Sequence, residues 1–176
     1  FLNLINSFVP ALPYVEDPEW WIENIICRYE GTIGIVSYFK EDIEKQIKIL
    51  DKIWPQYKIK NKFVVVKSHN TTTGNTPHDN WFETYKDLRR RIDRKTEPNL
   101  WLVSAGAYGL PVCYHISHTN KKKAIYVGGL LQLLFGIKGK RWDTRPEVKK
   151  HYNEHWIYSE QKPKNHEQVE GWCYGK

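Results

Sequence analysis

Methionine and long apolar runs are both missing from this sequence. None of its 176 residues is methionine, and the chain begins "FLNLINSFVP", so we expect a piece of a longer protein. No apolar run approaches the roughly 20 residues that cross a bilayer. The first segment also lacks the basic leader and long apolar stretch of a signal peptide. The sequence therefore predicts a soluble fragment.

Cysteine is scarce and scattered. The three cysteines, Cys27, Cys113 and Cys173, are odd in number and far apart. A disulfide framework needs paired cysteines, and a zinc knuckle needs close-spaced pairs. The sequence has neither pattern, so we expect a reducing compartment and predict a cytoplasmic location.

Acidic residues are too few to balance the basic ones. The chain has 27 lysines and arginines against 20 acidic residues, a net charge of +7. This excess favours a polyanionic partner: nucleic acid, an anionic membrane or a diphosphate-bearing substrate. Two basic runs, "RRRIDRK" at 89–95 and "NKKK" at 120–123, are interpreted as a solvated helix end and a turn.

Short apolar runs alternate with amphipathic segments. The runs "TIGIVSYF", "KFVVVKS", "LWLVSAG" and "AIYVG" are typical of buried strands, and a segment with helical features follows each one. This alternation predicts an α/β fold, a Rossmann-like and mostly parallel sheet of about four strands with helices on both faces. We predict one domain over 1–176, with a lead-in at 1–31 and a βα core at 32–142. An irregular, aromatic-rich C-terminal tail at 143–176 is expected to lie over the sheet.

Two glycine turns follow successive predicted strands. Ligands of such sheets bind beyond the carboxyl ends of the strands, and helix N-termini at that edge attract phosphate. We therefore predict substrate-binding residues in "SAGAYG" and "VGGLLQ": Ser104, Gly106, Tyr108, Gly109, Gly128, Gly129 and Gln132. In the alternative interpretation the glycines only permit tight turns. A nicotinamide site is disfavoured, because neither GxGxxG nor the acidic residue that binds a ribose is present.

A basic segment follows the second glycine turn. In "GIKGKRW", Lys138, Lys140 and Arg141 are predicted to return over the crevice as a cationic clamp, and Trp142 to offer a ring for stacking a base or sugar. The alternative is that the two lysines belong to a solvated loop.

The histidines and acidic residues do not form a recognised catalytic motif. His115 and His118 are three residues apart, and His151 and His155 lie in "HYNEH", which differs from the HExxH of zinc proteases. We predict no metal ligands in this chain. Three acidic residues near the basic segment are equal candidates for a general base: Asp143, Glu154 and Glu170.

Several of these blocks carry a resemblance to a known family. At "SAGAYGLPVCYHI", "AIYVGGLLQLLFGIKGKRWD" and the closing "NEHW", "KPKN" and "VEGWCYG", the chain resembles polysaccharide-biosynthesis proteins of bacteria and large DNA viruses related to the GT-D class of glycosyltransferases. "IGIVSYFKEDIEKQ" and "GNTPHDNWFE" are similar to upstream blocks of the same group. The resemblance covers roughly residues 32–174.

The resemblance implies a Rossmann-like enzyme that transfers a sugar from a nucleotide-sugar donor to a glycan acceptor. It also implies a divalent metal, Mg or Mn, which we expect a segment outside this chain to hold. Two alternatives remain open. One is a nucleic-acid-binding module, which the charge favours, and the other is a non-catalytic sugar-binding or scaffold domain of a glycan-building protein.

Overall fold

A computed structural model describes residues 17–169 and 171–175 of the chain. Its centre is a sheet of four strands: β1 Thr32–Ser37, β2 Lys62–Lys67, β3 Leu100–Ser104 and β4 Lys123–Tyr126. The strand order is β2-β1-β3-β4, and every pairing is parallel. The predicted Rossmann-like α/β fold is confirmed.

Helices connect the strands and cover both faces of the sheet. In chain order they are α1 Pro18–Trp21, α2 Lys40–Ile47, α3 Leu50–Ile53, α4 Trp81–Asp93, α5 Gly109–His118, α6 Leu131–Leu134, α7 Lys140–Asp143 and α8 Pro146–Lys149. Four short turns add to them: a π-helical turn at Ile22–Ile26 and 3-10 turns at Gly106–Tyr108, Gly128–Leu130 and His166–Gln168. Asn80 caps α4, because its Oδ1 accepts hydrogen bonds from the backbone N–H groups of Phe82 and Glu83.

The strand residues alternate between two apolar clusters. Ile33, Ile35 and Leu102 belong to one cluster, which includes α2 and the tail. Val36, Trp101 and Val103 belong to the other, together with α4 and α5. Gly34 pairs with Trp101 across β1 and β3, and a Cβ on this glycine would lie 2.3 Å from the Trp101 ring. A larger residue at 34 would therefore displace the indole from the core.

The predicted tail packs on the first of these clusters. Val148, Trp156 and Trp172 are buried in it beside the strand residues. A second, two-stranded parallel sheet joins β5 Ile137–Lys138 to β6 Ile157–Tyr158. The apolar pattern did not predict this pairing, because each strand has only two residues.

The predicted lead-in is described only in part. Residues 1–16 lie outside the described residues. Asp17 is the N-cap of α1, and its side chain accepts a hydrogen bond from the backbone of Glu19 at 2.9 Å. Among the helices of the described residues, none has the length and apolar character that crossing a membrane requires.

Candidate functional site

The order in which strands are added to the sheet reverses between β1 and β3. From β1 it passes outward to β2, and it then returns to the opposite side of β1 as β3. Ligands of open parallel sheets bind outside the carboxyl ends of the strands at such a reversal. Ser37 and Ser104 are paired at these two strand ends. The carboxyl edge of the sheet beside these serines, where that rule places a ligand crevice, is the candidate site and is called the crevice below.

The first glycine turn, after β3, combines open and packed positions. Gly106 has a φ of +52°, and no non-neighbouring atom lies within 4 Å of the position a Cβ would take. Gly109 is different, because a Cβ there would lie 2.2 Å from the ring of Tyr126. Tyr108 is buried in the core cluster of α4 and α5. In this turn, then, Gly106 has an open Cβ position, whereas Tyr108 and Gly109 pack against the protein; the substrate contacts of Tyr108 and Gly109 stay a prediction.

The second glycine turn, after β4, lies against the basic segment. β4 is the parallel neighbour of β3, so Ser104 and Gly128 follow adjacent strand ends. Gly128 has a φ of +68°. A Cβ on Gly129 would lie 3.2 Å from Cε1 of Tyr174 and 3.6 Å from Nη1 of Arg141. The basic segment thus returns to this turn.

Arg141 is held beside Gly129 by aromatic rings. Its Nη1 donates a hydrogen bond to the Tyr174 hydroxyl at 3.3 Å. The guanidinium carbon lies 5.1 Å from the Tyr174 ring centroid and 5.8 Å from that of Trp142. These contacts are of the cation–π type, and they orient the guanidinium.

Two side chains that were predicted to bind the ligand instead contact other parts of the protein. Trp142 is only 6% exposed, so its indole presents no open face to a base or sugar, and the stacking role is corrected. Gln132 is also buried, and its Nε2 donates to the carbonyls of Ile137, Lys138 and Tyr174 at 3.0–3.2 Å. Its amide joins the basic segment to the tail instead of reaching the crevice.

The two lysines predicted to form the clamp also contact other groups of the protein. The Nζ of Lys138 lies 4.8 Å from the ring centroid of Tyr158 and 5.5 Å from that of Tyr152. Lys138 is therefore a partner of these rings, and its clamp role stays a prediction. Lys140 is exposed at the start of α7, and its Nζ donates to the carbonyl of Gly171 at 3.2 Å. Of the predicted cations, Arg141 alone contacts the glycine turn.

The end of the tail covers the carboxyl edge of the sheet. The backbone N–H groups of Lys140 and Arg141 donate to the carbonyls of Gly175 and Cys173, both at 3.2 Å. Trp172, with a φ of +63°, packs its ring 6.3 Å from that of Phe39, which follows β1. This segment brings Tyr174 beside the crevice. The apolar pattern gave no signal for it, although Tyr174 lies in the closing block that carries the resemblance.

A buried polar network anchors the tail next to the same edge. Asp42, in the first turn of α2, accepts hydrogen bonds from Ser159 Oγ at 2.5 Å and Gln161 Nε2 at 2.8 Å. Lys67, at the end of β2, pairs with Glu41 Oε2 at 2.6 Å. Burial alone would raise the pKa of Glu41, but the hydrogen bond and charge of Lys67 lower it overall. The sequence pattern missed this network, since Asp42 lies more than 100 residues from Ser159 and Gln161.

The predicted general-base candidates differ in their surroundings. Asp143 accepts hydrogen bonds from the hydroxyls of Tyr152 at 3.3 Å and Tyr158 at 2.8 Å. Burial and this carboxylate raise the pKa of both phenols. Glu154 has an 83% exposed side chain beside His155, and Glu170 lies outside the described residues. Asp143 is therefore tied to the tyrosines that pack on Lys138.

The spaced histidine pairs do not converge. His115 is buried and its Nε2 lies 2.7 Å from Asp93 Oδ1, whereas His118 stacks on Tyr114 at 4.2 Å. His151 lies 3.2 Å from Asp17 Oδ1, while His155 is beside Glu154. Neither pair forms a shared site.

Two pairs of acidic residues with the spacing Asp-x-Glu are candidates for holding a divalent metal within this chain. Asp17 and Glu19 meet His151, but they do so beside Trp54 and Tyr57, in the connection that leads to the amino end of β2. Asp42 and Glu44 share α2 near the crevice, yet Asp42 is buried and Glu44 is exposed with Lys40. Side chains two apart on a helix do not face each other. Neither pair holds a cation at the crevice.

Comparisons with known proteins give no match to a protein-family model, a curated protein or a solved structure. The chemistry of the site follows from its own groups: the open backbone at Gly106, the turn at Gly129, the Arg141 guanidinium and the Tyr174 phenol. These groups are donors and cations, so the crevice is suited to an anion. The resemblance to GT-D glycosyltransferases remains a prediction.

Proposed function

We propose that this domain is a nucleotide-sugar-dependent glycosyltransferase that binds the donor diphosphate in the crevice beside Gly106 and Gly129. The observation that carries the proposal is the position of Arg141, 3.6 Å from where a Gly129 Cβ would stand and hydrogen-bonded to Tyr174. A cation oriented over a glycine turn at the carboxyl edge suits a phosphate group in an open parallel sheet.

The backbone at the crevice supports the same ligand. The Cβ position of Gly106 is open, its carbonyl accepts hydrogen bonds from the Gly109 N–H and the Tyr126 hydroxyl, and α5 begins three residues later with ten helical residues. The first N–H groups of a helix lack intrahelical acceptors and carry partial positive charge. A phosphate approaching Gly106 would therefore meet the partial positive charge of this helix start as well as the guanidinium.

Sugar transfer requires stabilisation of the departing nucleoside diphosphate, on which negative charge develops. Arg141 provides a planar fork of donors that matches two phosphate oxygens, which a lysine cannot reproduce. The ring of Tyr174 lies next to this guanidinium. Tyr174, in place of Trp142, is therefore the residue proposed to contact the base or sugar. The divalent metal that the resemblance implies would be held outside this chain.

The experiment that tests the proposal is a calorimetric titration of the chain with a UDP-sugar and a GDP-sugar, followed by the same titration with inorganic pyrophosphate. Binding of a nucleotide sugar, with pyrophosphate as a competitor, is expected. A non-catalytic glycan-binding or scaffold domain would instead bind an oligosaccharide and neither phosphate compound.

Nucleic-acid binding is the second candidate, and one surface favours it. A shallow basic cleft of about 250 Å³ runs along the edge strand β2, lined by Lys40, Lys67, Arg91, Arg94 and Lys95 together with Val65 and Val66. Three of these cations already pair with carboxylates: Lys40 with Glu44, Lys67 with Glu41 and Arg91 with Asp87. That pairing lowers the charge offered to a polyanion. Binding of random-sequence DNA that weakens steeply with salt, without nucleotide-sugar binding, would favour this candidate.

A further inference from the structure

Two histidines and an aspartate meet beside the end of β2, outside the crevice. One ligand atom from each of His69, His78 and Asp87 lies within 4.8 Å of the others. His69 follows β2 by two residues, His78 belongs to the loop before α4, and Asp87 lies on α4. The fold brings three segments together here, although no short motif joins these residues in the sequence.

The ring of His78 is oriented by a buried hydroxyl. Its Nδ1 lies 3.1 Å from Thr84 Oγ1, and the Thr84 side chain is buried in the first turns of α4. Thr84 Oγ1 directs its own proton to the carbonyl of Asn80 at 3.4 Å. The hydroxyl therefore accepts from Nδ1–H, which leaves the lone pair of His78 on Nε2. Such an outer partner, fixing the tautomer and ring angle, is typical of histidines that bind metals.

The other two groups already contact each other. His69 Nε2 lies 2.8 Å from Asp87 Oδ2, and the rings of His69 and His78 are 5.2 Å apart between centroids. The side chains of His69 and Asp87 are 20% and 28% exposed. The cluster is thus shielded on the protein side and open to water on the other.

We propose that His69, His78 and Asp87 form a binding site for a divalent transition metal of the zinc type. Two imidazole nitrogens and one carboxylate oxygen are a donor set that suits such ions, with a fourth position left for water. Ligand distances of about 2.0–2.1 Å place tetrahedral donors roughly 3.3 Å apart, so small side-chain rotations close the cluster around the ion. The proposal does not depend on the glycosyltransferase assignment.

Arg91 allows the proposed metal site to be recognised by mutation. Its Nη2 lies 2.6 Å from Asp87 Oδ2, the same oxygen that faces His69. The arginine therefore competes with a metal for the same oxygen. Removing this cation should strengthen metal binding, whereas removing any of the three ligands should weaken it.

A second cluster in the described residues serves as an internal comparison. Asp17, Glu19 and His151 also lie close together, and Lys150 Nζ is 3.7 Å from Asp17 Oδ2. This group has one imidazole, a poorer donor set for zinc. His118 gives a simpler control, because it is exposed and stacks on Tyr114 away from both clusters.

The test is titration of the metal-free chain with Zn²⁺ by calorimetry and with Co²⁺ by visible absorption. We expect one site per chain, a cobalt spectrum of low coordination number without a thiolate band, and binding at least about 10-fold weaker in His78→Asn and Asp87→Asn. Asparagine at 78 retains a donor for Thr84 while removing Nε2. His151→Asn and His118→Asn should bind like the parent, and Arg91→Ala should bind more tightly.

The cobalt spectrum of the unsubstituted chain requires no variant to fold, so it tests the site by itself. Absence of stoichiometric zinc binding by the parent chain would overturn the proposal. So would parent-like affinity in His78→Asn, or loss of the site in His151→Asn.

Discussion

At the scale of single residues, the glycines of the crevice separate into those that pack and those that stay open. Gly109 is small because the Tyr126 ring occupies the space of a Cβ, and Gly106 instead combines a positive φ with empty surroundings. The sequence identified both as turn glycines but could not distinguish them. That distinction depends on Tyr126 of β4, which lies beside Gly109 only in the folded chain.

Gly106 and Gly171 form a matched pair for testing the open backbone. Both have a φ near +60°, at +52° and +61°, and neither has a non-neighbouring atom within 4 Å of its Cβ position. Alanine at either position should destabilise the fold by a similar amount, about 1–2 kcal/mol, through backbone strain alone. Only Gly106→Ala should also lower nucleotide-sugar affinity, because its methyl group would project into the crevice. Urea unfolding and calorimetry measure the two effects, and equal affinities in the two variants would contradict the assignment of the crevice.

Cys113 gives the residue-scale prediction for pH. Burial raises the pKa of this thiol to about 12, against about 8.5 in an unfolded chain. The folded state therefore favours the neutral thiol, and the resulting stability is complete below pH 8.5 and is lost as the pH rises toward 12. The difference in unfolding free energy between the parent and Cys113→Ala should shrink by about 2 kcal/mol between pH 8 and pH 10.5. Parallel pH profiles of the two proteins in urea unfolding would refute this.

At the scale of elements, the start of α4 is stabilised by the side chain of its N-cap residue. Asp79 and Asn80 are both residue types that favour the N-cap position, and in the structure Asn80 is the cap. Asn80→Ala should destabilise the protein by about 1 kcal/mol, because two N–H groups of the first turn lose their acceptor. The exposed neighbour Asp79 is the control, since Asp79→Ala leaves that acceptor in place. Thermal unfolding of both variants checks the difference, and equal losses would contradict the cap.

The elements that the sequence missed are those defined by distant partners. The four strands of the main sheet follow from short apolar runs, so local pattern was enough to predict them. The β5–β6 pair, by contrast, depends on contacts such as the hydrogen bond from Gln46 Nε2 to the carbonyl of His155, 109 residues away. Trp142 was misassigned for the same reason. Its exposure is determined by the tail, whose position no local periodicity encodes.

At the scale of the whole molecule, the tail and the sheet form one core around Trp172. This indole is 2% exposed and contacts the rings of Phe39, His166 and Tyr174. Trp172→Ala should destabilise the protein by about 3–5 kcal/mol, and the parent should unfold in one transition. Trp81, which is 65% exposed, is the matched control, and its replacement by alanine should change stability by less than about 0.5 kcal/mol. A parent that unfolds in two steps, with only the first altered by Trp172→Ala, would show that the tail is a separate unit.

The proposed function depends most on Arg141, the residue proposed to bind a diphosphate at the carboxyl edge of the sheet. Arg145 is the matched control: its guanidinium carbon also lies over Trp142, at 5.1 Å from the ring centroid, but it is not among the nearest neighbours of Gly129. The decisive measurement is calorimetric titration of the parent chain, Arg141→Lys and Arg145→Lys with the nucleotide sugar that the parent binds. We predict that Arg141→Lys loses about 1.5–3 kcal/mol of binding free energy, the contribution of hydrogen bonds to charged groups, while Arg145→Lys binds like the parent. Unchanged affinity in Arg141→Lys, or an equal loss in both variants, would contradict the proposed site.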